Sequence, residues 1–315
     1  MTKPQLTVAV VGPTAAGKTK LAIALADLFN GEIISADSRQ VYRGMDIGTG
    51  KDLVDYQNNG QPIPYHLIDV VDPQTNFDLA TYQKKAQAAL EDIVKRHKLP
   101  IIAGGSGLYL QALIDNYQLA NVKPDLQFRQ KFEHLDALAL YQELSKLQPN
   151  LAKKLNNSDR NNPRRLLRYL EIASTTIKEP SAKIPADRQS CLDYHWIIFG
   201  LDYPMEVLEK KIFIRLMKRL EEEAMIEEVK ELHQSGLDWK RLESFGLEYR
   251  YISYYLQEKI DYDQMIDQLH IASRQFAKRQ KTWFRRWEKQ GKQIHWLNPE
   301  SALAEASQII KKLAL

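Results

Sequence analysis

Residues 5–19 read Gln5-Leu-Thr-Val-Ala-Val-Val-Gly-Pro-Thr-Ala-Ala-Gly-Lys-Thr19. The run Gln5–Val11 is rich in β-branched and apolar residues, which predicts a strand. The next eight residues, Gly12, Pro13, Thr14, Ala15, Ala16, Gly17, Lys18 and Thr19, match G-x-x-x-x-G-K-[ST] at every fixed position. From Lys18 to Phe29 the spacing turns helical, with Leu21, Leu25 and Leu28 on one side. A strand that ends in such a loop and opens a helix is the context a phosphate cradle requires. The glycines let backbone N–H groups turn inward and the helix N-terminus adds partial positive charge. Lys18 supplies a full charge and Thr19 a hydroxyl able to ligate magnesium. A plain glycine turn leaves the Lys-Thr pair unexplained.

Working outward, Glu32–Ala36, His66–Val71 and Leu99–Ala103 read as strands, with a helix over Thr81–Lys95. Alternating strands and helices predict an α/β fold, a P-loop NTPase-like parallel sheet flanked by helices on both faces. From about residue 121 to 194 helical spacing takes over (Leu135, Leu138, Tyr141, Leu144), predicting a helical insertion domain. The expected organisation is therefore 1–120 as the first part of the core, 121–194 as the insertion, and 195–315 as the second part. A strand is expected at His195–Leu201, then a long helical pattern from Pro204 to about His233, and another helix from Asp261 to about Trp287.

The 315 residues carry 44 lysines and arginines against 40 acids, a net charge of +4 that permits nucleic-acid binding. No apolar run approaches the ~20 residues of a membrane span. The opening residues enter the first strand without a secretory h-region, so a cytoplasmic location is expected. The single cysteine, Cys191, excludes an internal disulfide and a cysteine-clustered zinc site.

Two further turns lie at predicted strand ends. In Ser35-Ala-Asp37-Ser38-Arg39-Gln40-Val41-Tyr42, Asp37 sits where open parallel sheets bind ligands. It is a candidate general base, with a helix cap or a magnesium ligand as alternatives. Ala103-Gly-Gly-Ser106-Gly-Leu-Tyr109 allows close backbone approach to a ligand, or is a simple strand-to-helix turn.

The C-terminal helix has no acid between Asp267 and Glu288, and Arg274, Lys278, Lys281 and Arg285 form one stripe at i, i+4, i+7 and i+11. Leu269, Ala272, Phe276, Trp283 and Trp287 form the apolar stripe expected to face the core. An uncompensated basic face suits a phosphate backbone. In the insertion, Asn162 can cap and Pro163 can open a helix that presents Arg164, Arg165 and Arg168. These arginines suit RNA contact, or pairing with Glu171 and Asp159.

Together, GPTAAGKT, ISADSRQVYRGMDIGTGK, YHLIDVVDP, AGGSGLYL, the NPRRLLRYLE string and the FAKRQKTWFR string resemble the tRNA dimethylallyltransferases over about residues 7 to 287. The resemblance implies transfer of a dimethylallyl group from its diphosphate to the exocyclic amine (N6) of adenosine 37 in tRNA, with Mg2+ and release of diphosphate. It implies that Gly12–Thr19 hold the donor and that Asp37 is the general base. It also implies tRNA contacts from Asp37, Ser38, Arg39, Gln40, Ser106, Arg164, Arg165, Arg168, Lys278, Lys281 and Arg285. A helix arginine relieving the departing diphosphate maps to Arg215, with Arg219 as the alternative register. The base must be flipped out of the anticodon loop to react. The insertion is the expected tRNA clamp and the protein is expected to act as a monomer. Ser106 replaces a commoner threonine, and Asn156–Asp159 and Phe245–Arg250 depart from commoner strings. A small-molecule kinase is one rival reading, disfavoured by the basic helix and the Asp37 string. A transferase for free nucleotides is another, disfavoured by the RNA-directed arginines and the large insertion; a non-catalytic RNA-binding protein is a third, disfavoured by the intact Lys18, Thr19 and Asp37.

Overall fold

The computed structural model describes residues 4–58, 60–117, 119, 122, 124–178 and 193–314. Cys191 and the expected boundary at residues 120 and 121 lie outside these. The chain forms two compact units, Met1–Tyr117 with Leu192–Leu315, and Gln118–Cys191.

The larger unit is built on a six-stranded sheet. Its first elements are β1 (Gln5–Val11), α1 (Lys18–Leu28) and β2 (Gly31–Ser35), then a two-strand hairpin of β3 (Gln57–Asn58) and β4 (Gln61–Pro62). After these come β5 (Tyr65–His66), α2 (Leu79–Lys95), β6 (Leu99–Gly104) and α3 (Gly107–Ile114). The smaller unit holds α4 (Leu126–Phe132), α5 (Ala137–Leu147), α6 (Pro149–Lys154), α7 (Asn157–Arg160) and α8 (Pro163–Lys178). The chain returns through β7 (Tyr194–Leu201), α9 (Met205–Glu221), α10 (Met225–Gln234), α11 (Trp239–Ser244), α12 (Leu247–Leu256) and α13 (Tyr262–Lys289). It finishes with β8 (His295–Leu297) and α14 (Ala302–Ala314).

The sheet order is β5-β2-β6-β1-β7-β8, and every pair is parallel. All the loops that leave the strand C-termini therefore gather on one edge. Along β1 the side chains alternate: Val8 and Val10 pack with Leu21, Leu25, Leu208 and Ile310, whereas Ala9 and Val11 pack with Leu90, Leu110, Phe284 and Trp287. A strand covered on both faces reads as the continuous apolar run seen in the sequence.

The long helix α13 follows from its burial pattern. Leu269 belongs to a cluster built on α9–α12, Ala277 to one face of the sheet, and Phe284 and Trp287 to the other. The helix spans roughly 42 Å at 1.5 Å per residue, enough to cross from one side of the sheet to the other. The smaller unit has its own core of Leu140, Leu144, Leu155, Leu166 and Leu170. Glu171 there is buried, accepting from the Asp125 N–H at 2.6 Å and from Arg129 at 2.9 and 3.1 Å.

Three sequence expectations need correction. The strand expected over His66–Val71 stops at His66, because Leu67 and Asp69 take positive φ; Val71 only bridges to Tyr42. The helical pattern after Pro204 is two helices, broken where Ala224 adopts φ 58°. Phe276 is 39% exposed, and the buried arc of α13 runs instead through Ala277, Gln280 and Phe284. Strand β8, which no sequence expectation covered, is three residues long, too short for a periodicity to detect, and pairs in parallel with β7.

Candidate active site

Gly12 is required by a close approach: a Cβ there would lie 2.4 Å from the Leu201 carbonyl oxygen, where β1 and β7 end side by side. The loop turns through Ala15 (φ 62°) and Gly17 (φ 85°) into α1, whose N-cap carries no side-chain hydrogen bond. The first-turn N–H groups of α1 thus lack intrahelical acceptors and face the cradle. Lys18 folds back over the loop and donates to the Pro13 carbonyl at 2.8 Å.

Two side chains from far along the chain meet at Thr14. Arg215, on α9, donates to its hydroxyl. Gln280, on α13, accepts from its backbone N–H at 2.7 Å and donates through Nε2 to the Gly105 carbonyl at 2.9 Å. Gly105 has no room for a side chain, since a Cβ would lie 2.3 Å from that Nε2. Gln280 therefore ties the cradle to the glycine turn after β6. It was not a sequence candidate: a glutamine within a basic helix has no chemical signature, and only its place on the buried arc of α13 hinted at it.

Asp37 lies two residues beyond β2, and its Oδ1 accepts the Arg39 N–H at 2.8 Å, closing a tight turn. The turn docks on the third loop: the Ser38 N–H donates to the Ser106 hydroxyl at 3.2 Å, and the Ser106 N–H to the Ala36 carbonyl at 3.3 Å. Gln40 is engaged at both ends, accepting from the Ser35 hydroxyl at 2.8 Å and donating to the Gly50 carbonyl at 3.0 Å.

The cations and the carboxylate share one electrostatic environment. Burial pushes the Lys18 ammonium down from 10.5 to about 8, with the Arg215 charge adding to the shift and the Asp37 charge opposing it. Burial and the Arg219 charge pull the Arg215 guanidinium down to about 10, opposed by Glu248, Asp52 and Asp37. Arg39 is likewise lowered by burial, against the Asp37 charge. Two cations lowered by burial, Lys18 and Arg215, thus contact one loop, an arrangement suited to an anion.

Arg219 does different work from Arg215. It is 5% exposed, lies against the Gly50 backbone, and pairs with Asp52 at 3.6 Å and Glu223 at 4.0 Å. Of the two registers considered, Arg215 is the one at the cradle.

The basic stripe of α13 is less open than its sequence implies. Arg274 pairs with Glu209 at 3.1 Å. Lys281, 11% exposed, pairs with Asp202 at 2.7 Å and donates to the Tyr203 carbonyl at 2.7 Å. The expectation of a face without compensating acid is therefore corrected: the acids come from β7–α9, not from α13 itself. Lys278 is exposed and Arg285 is 66% exposed, 4.0 Å from Asp202. In the helical unit, Arg165 pairs with Asp159 at 2.6 Å, and Arg168 with Glu171 and the Val122 carbonyl, while Arg164 is exposed.

Among the described residues no three His, Cys, Asp or Glu side chains cluster as a metal site. The loop itself ends in Thr19, whose hydroxyl is a hard oxygen donor of the kind magnesium takes beside phosphate and water.

The family model described as IPP transferase matches residues 40–287. The chain belongs to the IPP transferase family. It is 43% identical over 302 residues to the tRNA dimethylallyltransferase 1 of Syntrophus aciditrophicus, covering 96% of each chain. The crystal structure of the full-length tRNA isopentenylpyrophosphate transferase of Bacillus halodurans superposes with TM-score 0.68 at 34% identity, covering 98% of this chain and 96% of that one. A eukaryotic dimethylallyltransferase acting on tRNA gives TM-score 0.73 at 29% identity, covering 89% and 69%. The family match begins at Gln40, after the cradle and Asp37. No described helix is long and apolar enough to cross a membrane.

Proposed function

We propose that this IPP transferase moves a dimethylallyl group from dimethylallyl diphosphate to N6 of adenosine 37 in tRNA. The observation that carries the proposal is that Arg215, from α9, bonds the Thr14 hydroxyl of the loop that holds Lys18, and that both cations feel the Asp37 charge. Two cations for a diphosphate and a carboxylate for an amine thus meet at one place.

In the reaction the adenine N6 forms a bond to C1 of the donor as the C1–O bond breaks and the electron pair leaves with diphosphate. The N6 proton passes to Asp37, whose Oδ2 is left for it because Oδ1 holds the Arg39 N–H. Residues Gly12–Thr19 hold the diphosphate, and Arg215 meets the negative charge that grows on it. Thr19 and the diphosphate oxygens would hold magnesium, which adds positive charge at the leaving group. The exposure of Arg164, Lys278 and Arg285 supports a role for them in contacting tRNA phosphates, and a cytoplasmic location goes with that reading. Incubation with dimethylallyl diphosphate, magnesium and unmodified tRNA should yield isopentenyladenosine by mass spectrometry. Its absence would refute the proposal.

Lys18 makes donor binding dependent on pH. Its pKa in the free protein is about 8, below the ordinary 10.5; the cation is therefore present at pH 7 and lost above pH 8. A bound diphosphate favours the protonated form, so affinity should fall by up to about tenfold per pH unit above 8. Calorimetry in buffers of different ionisation heat should show proton uptake on binding in that range. Lys18→Arg should abolish the uptake; if it persists in that variant, the proton belongs to another group.

The RNA face separates by exposure. Lys278→Gln with Arg285→Gln should flatten the salt dependence of tRNA binding, by about one unit or less per charge. Lys281→Gln should leave the slope unchanged because Asp202 already neutralises that ammonium. A flattened slope with Lys281→Gln alone would contradict this assignment.

A further inference from the structure

Glu228, on α10, bonds the backbone of the loop after Tyr42 and the Tyr249 hydroxyl of α12. One carboxylate oxygen accepts the N–H groups of Asp46 and Ile47, each at 2.7 Å. The other accepts the Gly48 N–H at 3.1 Å and the Tyr249 hydroxyl at 2.7 Å. Three consecutive backbone donors form an anion-binding concavity, and here the anion is a side chain of the same protein. We infer that Glu228 is a positioning residue for the acceptor half of the site, acting through the loop 43–52.

The loop connects Glu228 to the Asp37 turn by named bonds. At its far end Lys51 is fully buried, donating to the Tyr42 carbonyl at 2.7 Å and to Asp46 and Asp69 at 2.5 Å each. Between the two anchors the Gly50 carbonyl accepts from Gln40, whose Oε1 takes the Ser35 hydroxyl at the end of β2. Asp37 lies between Ser35 and Gln40, so the segment carrying the base is spanned by a clamp whose outer end is Glu228. Apolar contacts of Val41, Tyr42 and Met45 with Met225, Val229 and Tyr249 already hold the loop to these helices. Such contacts are non-directional. Glu228 adds direction: aligning the 46–48 amides sets which way the Gly50 carbonyl points, and hence where Gln40 holds its chain segment. No comparable bond runs from Glu228 to the cradle residues Gly12–Thr19.

The inference rests on the tRNA-transfer reading, so wild-type turnover is measured first; no transfer by the wild type would sink that reading before any variant is compared. Glu228→Gln places an amide where a second acceptor is needed. It should lower kcat/KM for tRNA by about 10- to 100-fold while leaving the affinity for magnesium pyrophosphate within about twofold. Because Glu228 acts through Gln40, the double variant Glu228→Gln with Gln40→Met should be no slower than the slower single variant. Three results would overturn the inference: wild-type kcat/KM for tRNA, a parallel loss of pyrophosphate affinity, or multiplying effects in the double variant. Should Glu228→Gln fail to fold, Tyr249→Phe removes one of the four donors. It should cost about threefold in kcat/KM for tRNA with pyrophosphate binding unchanged; no loss there also overturns the inference.

Discussion

Asp37→Asn should slow transfer by ~100- to 10,000-fold, the range general-base removal produces. The substitution isolates the chemistry because the turn survives it: an asparagine Oδ1 can still accept the Arg39 N–H now held at 2.8 Å. The second oxygen becomes an amide that donates instead of accepting, so the adenine proton has no destination. One side effect is expected. The Asp37 charge raises the pKa of Lys18, so its removal weakens Lys18 as a cation, and rates should be compared at pH 7 or below. Single-turnover rates with saturating donor, beside tRNA affinity by filter binding, give the test. A preserved rate with lost tRNA binding would make Asp37 a recognition residue and remove the base from the mechanism.

Arg215→Gln should lower kcat by roughly 100- to 1,000-fold, the cost of losing one charge-stabilising donor at a transition state. The guanidinium is desolvated and touches the Thr14 hydroxyl, which puts it on the diphosphate side of the site. Diphosphate gains negative charge as the C1–O bond breaks, so the interaction strengthens along the reaction. The variant should therefore lose more affinity for free pyrophosphate than for dimethylallyl diphosphate. Equal losses for both ligands would reduce Arg215 to a static part of the cradle. Arg219→Gln makes the contrast, since its partners are Asp52, Glu223 and the Gly50 backbone, not Thr14.

Where sequence reading succeeded, the signal was local. Seven residues of strand, six of loop and one helical turn are consecutive, and their backbone conformations follow from glycine placement and short-range periodicity. The observed β1 and α1 begin and end within a residue of expectation. Asp37 was legible for the same reason, as a carboxylate just past a strand in a sheet whose loops share one edge. Where reading failed, a partner was needed. Phe276 and Ala277 are adjacent in α13, and helical spacing allows either to face inward; the close crossing over the sheet selects the smaller one. The stripe on α13 looked uncompensated because Glu209 and Asp202 lie 65 and 79 residues away from the cations they meet.

From its sequence alone this chain is an α/β protein with a P-loop motif at Gly12–Thr19, a carboxylate at the next strand end and basic helices. Those features depend only on residues within a few positions of each other. The tertiary structure alone put Arg215 against Thr14 and Arg219, four residues on, against Asp52, Glu223 and Gly50. It alone joined Gln280 to Thr14 across 266 residues and Glu228 to the amides of residues 46–48 across about 180. Side-chain periodicity fixes which way a residue faces along its own element. Which element it then meets is set by how the elements pack, and no local pattern encodes that.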